Sequence, residues 1–380
     1  VAMGGRSWWR GRPGRHLAEA ERLLDAGAPA EAVAWLDLPA SRPATRDRAL
    51  LLRARAALAR RRPAEAVAPL EQVDPRGPWA AEAAFWKGRT LYAVGQFARA
   101  IPWYRAALAR RPDDAEIHRW LAAAAYDLGD RDTAIAALRE VTRLQPDDAR
   151  AWRTLALIYK ENRDLAQAEP AYRRSLALDP QQPRVRFEWS EVLVELGRPA
   201  EAERQLDASR GGIPEADRVA LLARCRLARG DRDGARAVLE AALTQAPSHP
   251  GLLAEQAVLD QAMGRPAEAA ARLDRALAAQ PNNPQWLYQR GLALRMLGRA
   301  AEAQRDLERA AELNRDWAAM AALNDEAAQH PDDPEVRCRL GRLCARLGLP
   351  ELAASWYRAA LACDPHCETA RLGLATLRSR

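Results

Sequence analysis

Apolar and small residues return every three or four positions along nearly all of this chain, with charged residues on the opposite face. That is the pattern of amphipathic helices. The stretch 79–112, WAAEAAFWKGRTLYAVGQFARAIPWYRAALARRP, shows it best. It predicts two short helices. The first carries Gly88 as its small residue and closes at Gly95. The second aligns Ala100, Tyr104 and Ala107 on one face and stops at Pro112. The unit then recurs. Pro78, Pro112, Pro146, Pro180 and Pro214 stand 34 residues apart, Pro247 follows after 33 and Pro281 after another 34. Arg315 takes the next proline position, and Pro331 and Pro365 are again 34 apart. A helical hairpin at this period predicts an all-α solenoid, in which each unit hides its apolar face on the next.

Two kinds of junction punctuate the hairpins. Arg62-Pro63-Ala64-Glu65-Ala66, Gly197-Arg198-Pro199-Ala200-Glu201-Ala202 and Gly264-Arg265-Pro266-Ala267-Glu268-Ala269 share one logic. Glycine allows the left-handed residue at a helix end, and proline fits the first turn of the next helix, where its missing N–H costs nothing. Glutamate in that turn favours the helix dipole. The other junction, Pro-Asp-Asp at 112–114, 146–148 and 331–333, offers a carboxylate to cap the following helix.

The spacing places repeats one to nine over residues 16–316 and a tenth over 334–367. Between them, 317–333 is helical in composition but too short for a repeat, and predicts an inserted helix. Residues 368–380 predict a solvated capping helix, since a bare apolar end would aggregate. Residues 1–15 stand outside the repeat. There Trp8 and Trp9 are interleaved with Arg6, Arg10, Arg12 and Arg15. Two readings stay open: a flexible leader, or a juxtamembrane segment following an anchor that precedes this chain. The first leaves a cytoplasmic protein; the second leaves one tethered to an inner membrane, facing either side.

Charge alters the picture at one end only. Residues 1–62 carry 13 arginines against 6 acidic residues, whereas 63–380 is balanced, so the net +7 belongs to the N-terminal part. Lys87 and Lys160 are the only lysines, an arginine bias read as codon usage rather than as a polyanion-binding surface. No apolar run is long enough to span a bilayer.

Trp152, Leu155, Ala156, Tyr159, Ala168, Tyr172 and Pro180 follow one residue pattern. Gly88, Ala100, Tyr104, Ala107 and Pro112 follow it too, as do Leu340, Gly341, Ala353, Tyr357, Ala360 and Pro365. The chain after residue 15 resembles the tetratricopeptide repeat family. Arg315 in the proline position, Ser190 in the small position and Gly211-Gly212 at the end of repeat six depart from its pattern. The resemblance implies about ten tandem repeats forming a right-handed superhelix, with first helices lining a concave groove that grips a peptide or protein.

Carried onto this chain, the family's groove positions are Phe85, Trp86, Arg89 and Tyr92, then Arg119, Trp120, Ala123 and Tyr126. They continue as Arg153, Leu157 and Lys160, then Phe187, Glu188 and Glu191. Aromatic anchors and arginine forks are the residue types that carry interface energy. Trp86 and Trp120 have a second reading, as packing between adjacent repeats. The asparagine and lysine set by which the family's chaperone-binding members hold a C-terminal carboxylate is not matched here.

Catalytic chemistry finds no foothold. His16, His118, His249, His330 and His366 lie far apart, with no HExxH, phosphate loop or nucleophile elbow among them. Cys225 is alone, while Cys338, Cys344, Cys363 and Cys367 gather in the last repeat. They are read as small buried hydrophobes or surface thiols rather than as a zinc site or a disulfide. No catalytic residue, metal or cofactor is indicated. The expectation is a non-catalytic scaffold for a partner polypeptide. Its alternatives are a substrate-recruiting arm of a larger enzyme assembly and a single-stranded RNA-binding helical repeat, the last disfavoured by the balanced charge.

Overall fold

The computed structural model describes residues 13–330 and 333–378, so the Trp8–Trp9 leader lies outside the described residues. Among the described residues there are 22 helices and no strand. They fall into two compact units, one holding residues up to Leu144 with 325–334 and 359–367, the other 145–324 with 335–358 and 368–380.

The first unit runs α1 (Pro13–Asp25), α2 (Pro29–Val33), α3 (Asp37–Ala40), α4 (Pro43–Ala59), α5 (Ala64–Glu71), α6 (Ala80–Ala93), α7 (Phe97–Leu108), α8 (Ala115–Leu128) and α9 (Arg131–Leu144). From α4 onward the elements pair as predicted: α6 packs on α7, α7 on α8, and α8 on α9. The first hairpin departs from this: its second half is not one helix but α2 and the single turn α3, with Leu36 fully buried between them.

In the second unit, α10 (Ala149–Glu161) to α18 (Pro284–Met296) continue the period. The intervening helices are α11 (Leu165–Leu178), α12 (Pro183–Glu195), α13 (Pro199–Asp207), α14 (Glu215–Ala228), α15 (Arg232–Gln245), α16 (Pro250–Ala262) and α17 (Pro266–Ala279). Beyond them lie α19 (Ala300–Gln329), α20 (Pro334–Leu347), α21 (Pro350–Cys363) and α22 (Glu368–Arg378).

The repeat signature has a direct steric origin. A Cβ added to Gly88 would stand 2.7 Å from the Tyr104 ring, and Tyr104 itself is wholly buried. Gly341 is pressed as closely on Tyr357, at 2.6 Å. A ring on the second helix therefore fills the notch that glycine leaves on the first, at crystal-like density. The departures also have local explanations. Ser190 is buried, and its hydroxyl donates to the carbonyls of Arg186 at 2.7 Å and Ala202 at 3.3 Å, so the small position holds a satisfied polar group. At Gly212 a Cβ would meet Pro183 at 2.0 Å, which only glycine avoids. The carboxylate caps form as well: Asp114 accepts from the amides of Glu116 and Ile117, and Asp148 from those of Arg150 and Ala151.

Arg315 has a larger consequence. The sequence predicts an inserted helix at 317–333; the structure instead shows one unbroken helix, α19, of 30 residues. With arginine rather than proline at 315, no amide is missing and no ring clashes, so the helix continues. It is about 45 Å long at 1.5 Å per residue. Its extension is used for packing: Met320 is buried with its sulfur 3.8 Å from Cys344, and Arg346 forks onto Asp316 at 2.8 and 3.2 Å.

Candidate partner-binding faces

The predicted groove residues divide between the two units. In the first, α6 contributes Phe85, Trp86, Arg89 and Tyr92, and α8 contributes Arg119, Trp120 and Tyr126. Phe85 is a core residue, 5% exposed, and touches Tyr104. Trp86 is half-buried and donates its indole N–H to Glu82 at 3.2 Å. Tyr92 stands edge-on to Trp120 at 5.1 Å and donates its hydroxyl to Asp127 at 2.5 Å. Burial and that bond both hold the Tyr92 phenol above its ordinary pKa. Tyr126 is exposed and Arg119 half-buried. Trp86 also packs against the cluster of Leu50, Leu51, Ala54 and Leu70 from the preceding hairpin, and Trp120 lies between neighbouring first helices.

Arg89 is the centre of this cluster. Its guanidinium carbon lies 3.5 Å from the Trp120 ring centre, 5.4 Å from Trp86 and 5.8 Å from Phe85. Stacking of this kind stabilises a guanidinium by about 0.5–2 kcal/mol. Among the described residues one carboxylate approaches it, that of Glu116, at 4.0 Å. Desolvation consequently lowers the Arg89 pKa despite that neighbour. Beside it a pocket of about 240 Å³ is lined by Arg55, Glu82, Phe85, Trp86, Arg111, Asp114, Glu116 and Ile117. Most of its charges are already paired: Arg111 holds Glu82 at 2.9 Å and also Asp114, and Arg55 holds Asp25 at 2.6 Å.

The second unit carries the remaining predicted residues, among them Arg153, Lys160 and Phe187, and they are placed differently. Arg153 forks onto Glu188 at 2.9 and 3.3 Å, and Arg184 reaches the same carboxylate at 3.0 Å. Lys160 holds Glu191 at 2.5 Å. Arg163–Glu195 at 2.6 Å and Arg224–Glu255 at 2.5 Å repeat the arrangement. Phe187 is half-buried and packs against the cluster formed by Leu193, Leu206 and Cys225. The sequence reading named Glu188 and Glu191 as groove positions but did not pair them with Arg153 and Lys160. Their signal was present, since Lys160–Glu191 and Arg224–Glu255 are each 31 residues apart and Arg153–Glu188 is 35.

Cys225, Cys338 and Cys344 are buried, and Cys363 and Cys367 are half-buried. Among the described residues no group of three or more histidine, cysteine or acidic side chains could hold a metal ion. No described helix is long and apolar enough to cross a membrane.

Helical hairpins at a 34-residue period, two of them fixed by a ring in a glycine notch, define an α-helical repeat protein. A tetratricopeptide repeat profile matches residues 91–158, 159–225 and 226–290, and a second one matches 51–115 and 304–366. The chain belongs to the tetratricopeptide repeat family. Among curated proteins no sequence matches it. Solved structures similar to it include a tetratricopeptide repeat protein from Parabacteroides merdae, at 17% identity over 65% of this chain and 98% of that one, with a TM-score of 0.46. The type IV pilus biogenesis factor PilW is similar at 21% identity, over 50% of this chain and 90% of that one, with a TM-score of 0.43. The Cut9–Hcn1 assembly of APC/C is similar at 14% identity, over 97% of this chain and 90% of that one, with a TM-score of 0.42.

Proposed function

We propose that this protein is a non-catalytic scaffold that holds a partner polypeptide on the first-helix face of its first unit, around Trp86, Arg89, Tyr92, Trp120 and Tyr126. Family membership supports a protein-interaction role in general. One observation supports this face: the Arg89 guanidinium is stacked on Trp120 and donates no hydrogen bond to the described residues, while Arg153 and Lys160 of the second unit are bonded to Glu188 and Glu191. Half-buried aromatics beside an arginine are what interface anchors require. Affinity capture from native cells with the wild-type chain, Trp120→Ala and Tyr126→Ala tests the reading. Both substitutions are expected to deplete the same captured proteins, with Lys160→Ala leaving them in place. Unchanged capture by both would overturn it.

A further inference from the structure

We infer that Arg89 is the receiving point for a carboxylate of the bound polypeptide, and that Glu116 occupies its neighbourhood as an internal competitor until the partner arrives. The inference rests on the proposed scaffold role and gives it a ligand chemistry.

The argument begins with the donors of the guanidinium. Arginine carries five N–H groups in one plane and accepts no bond. Stacking on Trp120 at 3.5 Å engages the face of that plane and leaves its edge unused. Among the described residues no side chain or carbonyl accepts a hydrogen bond from Arg89, in contrast to Arg153, Arg224 and Arg290, each of which forks onto a carboxylate. Side-chain exposure of Arg89 is only 23%, so rings hold the cation in place while water is largely removed. A desolvated, positioned cation with an empty fork is built for a bidentate anion. Planar carboxylate fits that fork, and an acidic residue or chain terminus of a polypeptide supplies it.

Glu116 explains how the cation is tolerated meanwhile. Its carboxylate stands 4.0 Å away, beyond hydrogen-bond distance, and its side chain is 63% exposed. It softens the charge without filling the fork. An incoming carboxylate would gain the hydrogen bonds that Glu116 does not make, and would be repelled by Glu116 while doing so.

The test uses the full chain and fluorescein-labelled peptide probes followed by anisotropy at low salt. One probe is an end-blocked hexapeptide of alternating glycine and glutamate. A second is its glutamine counterpart with blocked ends, and a third is the glutamine peptide with a free C-terminal carboxylate. A charge-assisted bidentate bond predicts that one or both carboxylate probes bind at least about tenfold more tightly than the blocked glutamine peptide. Arg89→Met should remove that preference, and Arg89→Lys, which keeps charge but loses the fork, should weaken it. Glu116→Gln should tighten binding about threefold. Arg99→Met, deleting an exposed arginine on α7, should change nothing. Equal binding by all three probes, an undiminished preference in Arg89→Met, an equal loss in Arg99→Met, or weaker binding in Glu116→Gln would each overturn the inference. Circular dichroism of each variant separates loss of the site from loss of the fold. If capture by Trp120→Ala and Tyr126→Ala is depleted while Arg89→Met captures normally, the scaffold reading stands and the carboxylate chemistry falls.

Discussion

On neighbouring first helices of both units a cation meets a residue 31 positions further on, and the two units put opposite chemistry there. In the first unit Arg89 meets Trp120; in the second Lys160 meets Glu191 and Arg224 meets Glu255. The spacing is one 34-residue repeat less about one helical turn. It arises because side chains lean toward the N-terminus of their helix, so a long cation reaches one turn back on the next, parallel first helix. With glutamate in that place the contact becomes a charge-assisted bond between repeats, and the cation is spent on holding neighbours together. With tryptophan in that place the cation is positioned yet keeps its charge and its donors. One geometric slot therefore joins repeats in one unit and holds a cation that makes no hydrogen bond to the described residues in the other.

The largest effect expected from this contrast lies in the second unit. Glu188 is 4% exposed and receives both Arg153 and Arg184. Glu188→Ala strips two arginines of their common partner and leaves a gap, which should cost about 3 kcal/mol, at the lower end for breaking a buried pair. Urea unfolding followed by circular dichroism would show an earlier transition, while capture of partners stays unchanged. A transition that does not move would mean that the pairs are not what joins these repeats.

A matched pair of substitutions tests the contrast itself. Arg153→Met leaves Glu188 with Arg184 alone and should lower stability by about 1–2 kcal/mol. Arg89→Met loses the stacking but also removes the cost of a desolvated cation with no hydrogen bond, so the two offset and stability should move by less than about 0.5 kcal/mol. Equal losses in the two variants would erase the distinction between a cohesive cation and a poised one.

Alkaline titration offers a third, smaller contrast. Burial pushes the Cys225 thiol of the second unit up to about 12. Below about pH 8.5, the ordinary thiol value, folded and unfolded chains both hold this proton and its contribution is fully present. Above that pH the unfolded chain releases it first, so stability falls as pH rises toward 12, by about 1 kcal/mol near pH 9. Cys225→Ala should flatten that slope, as read from urea midpoints at pH 8 and 9.

Much of the fold could be read from local spacing, because its determinants are local. Gly88 with Tyr104, the prolines at 34-residue intervals and the Asp114 and Asp148 caps each act within one hairpin or at one junction. Arg315 was visible as a departure, but its effect depends on there being nothing to stop the helix, and so α19 ran through where a separate helix was expected. The candidate face was legible only in part. Residue types at family positions indicated Arg89 and Trp120, and equally Arg153, Lys160 and Phe187. What separates the two cations Arg153 and Lys160 from Arg89 is the neighbour one repeat away, glutamate for the former and Trp120 for the latter. That does not follow from the composition of a single repeat.

The smallest effect concerns the exposed end of the cohesive series. Lys160 and Glu191 keep 23% and 33% of their side-chain surface, so water and salt screen the pair, and such pairs stabilise by about 0–1 kcal/mol. Raising salt from 0.05 to about 0.5 M shortens the screening length to a few ångströms. The wild-type urea midpoint should then fall slightly toward that of Lys160→Met, with the difference between them shrinking to within error. Arg89 should behave in the opposite sense. Its stacking on Trp120 is a contact through a ring face at 3.5 Å in a largely dry setting, where salt has little access. Stability differences between wild type and Arg89→Met should therefore be the same at both salt concentrations, whereas binding of an acidic peptide, which begins with exposed charges approaching through water, should weaken as salt rises. A salt-dependent stability gap for Arg89 would mean that Glu116 at 4.0 Å, rather than the indole, is what holds that side chain in place.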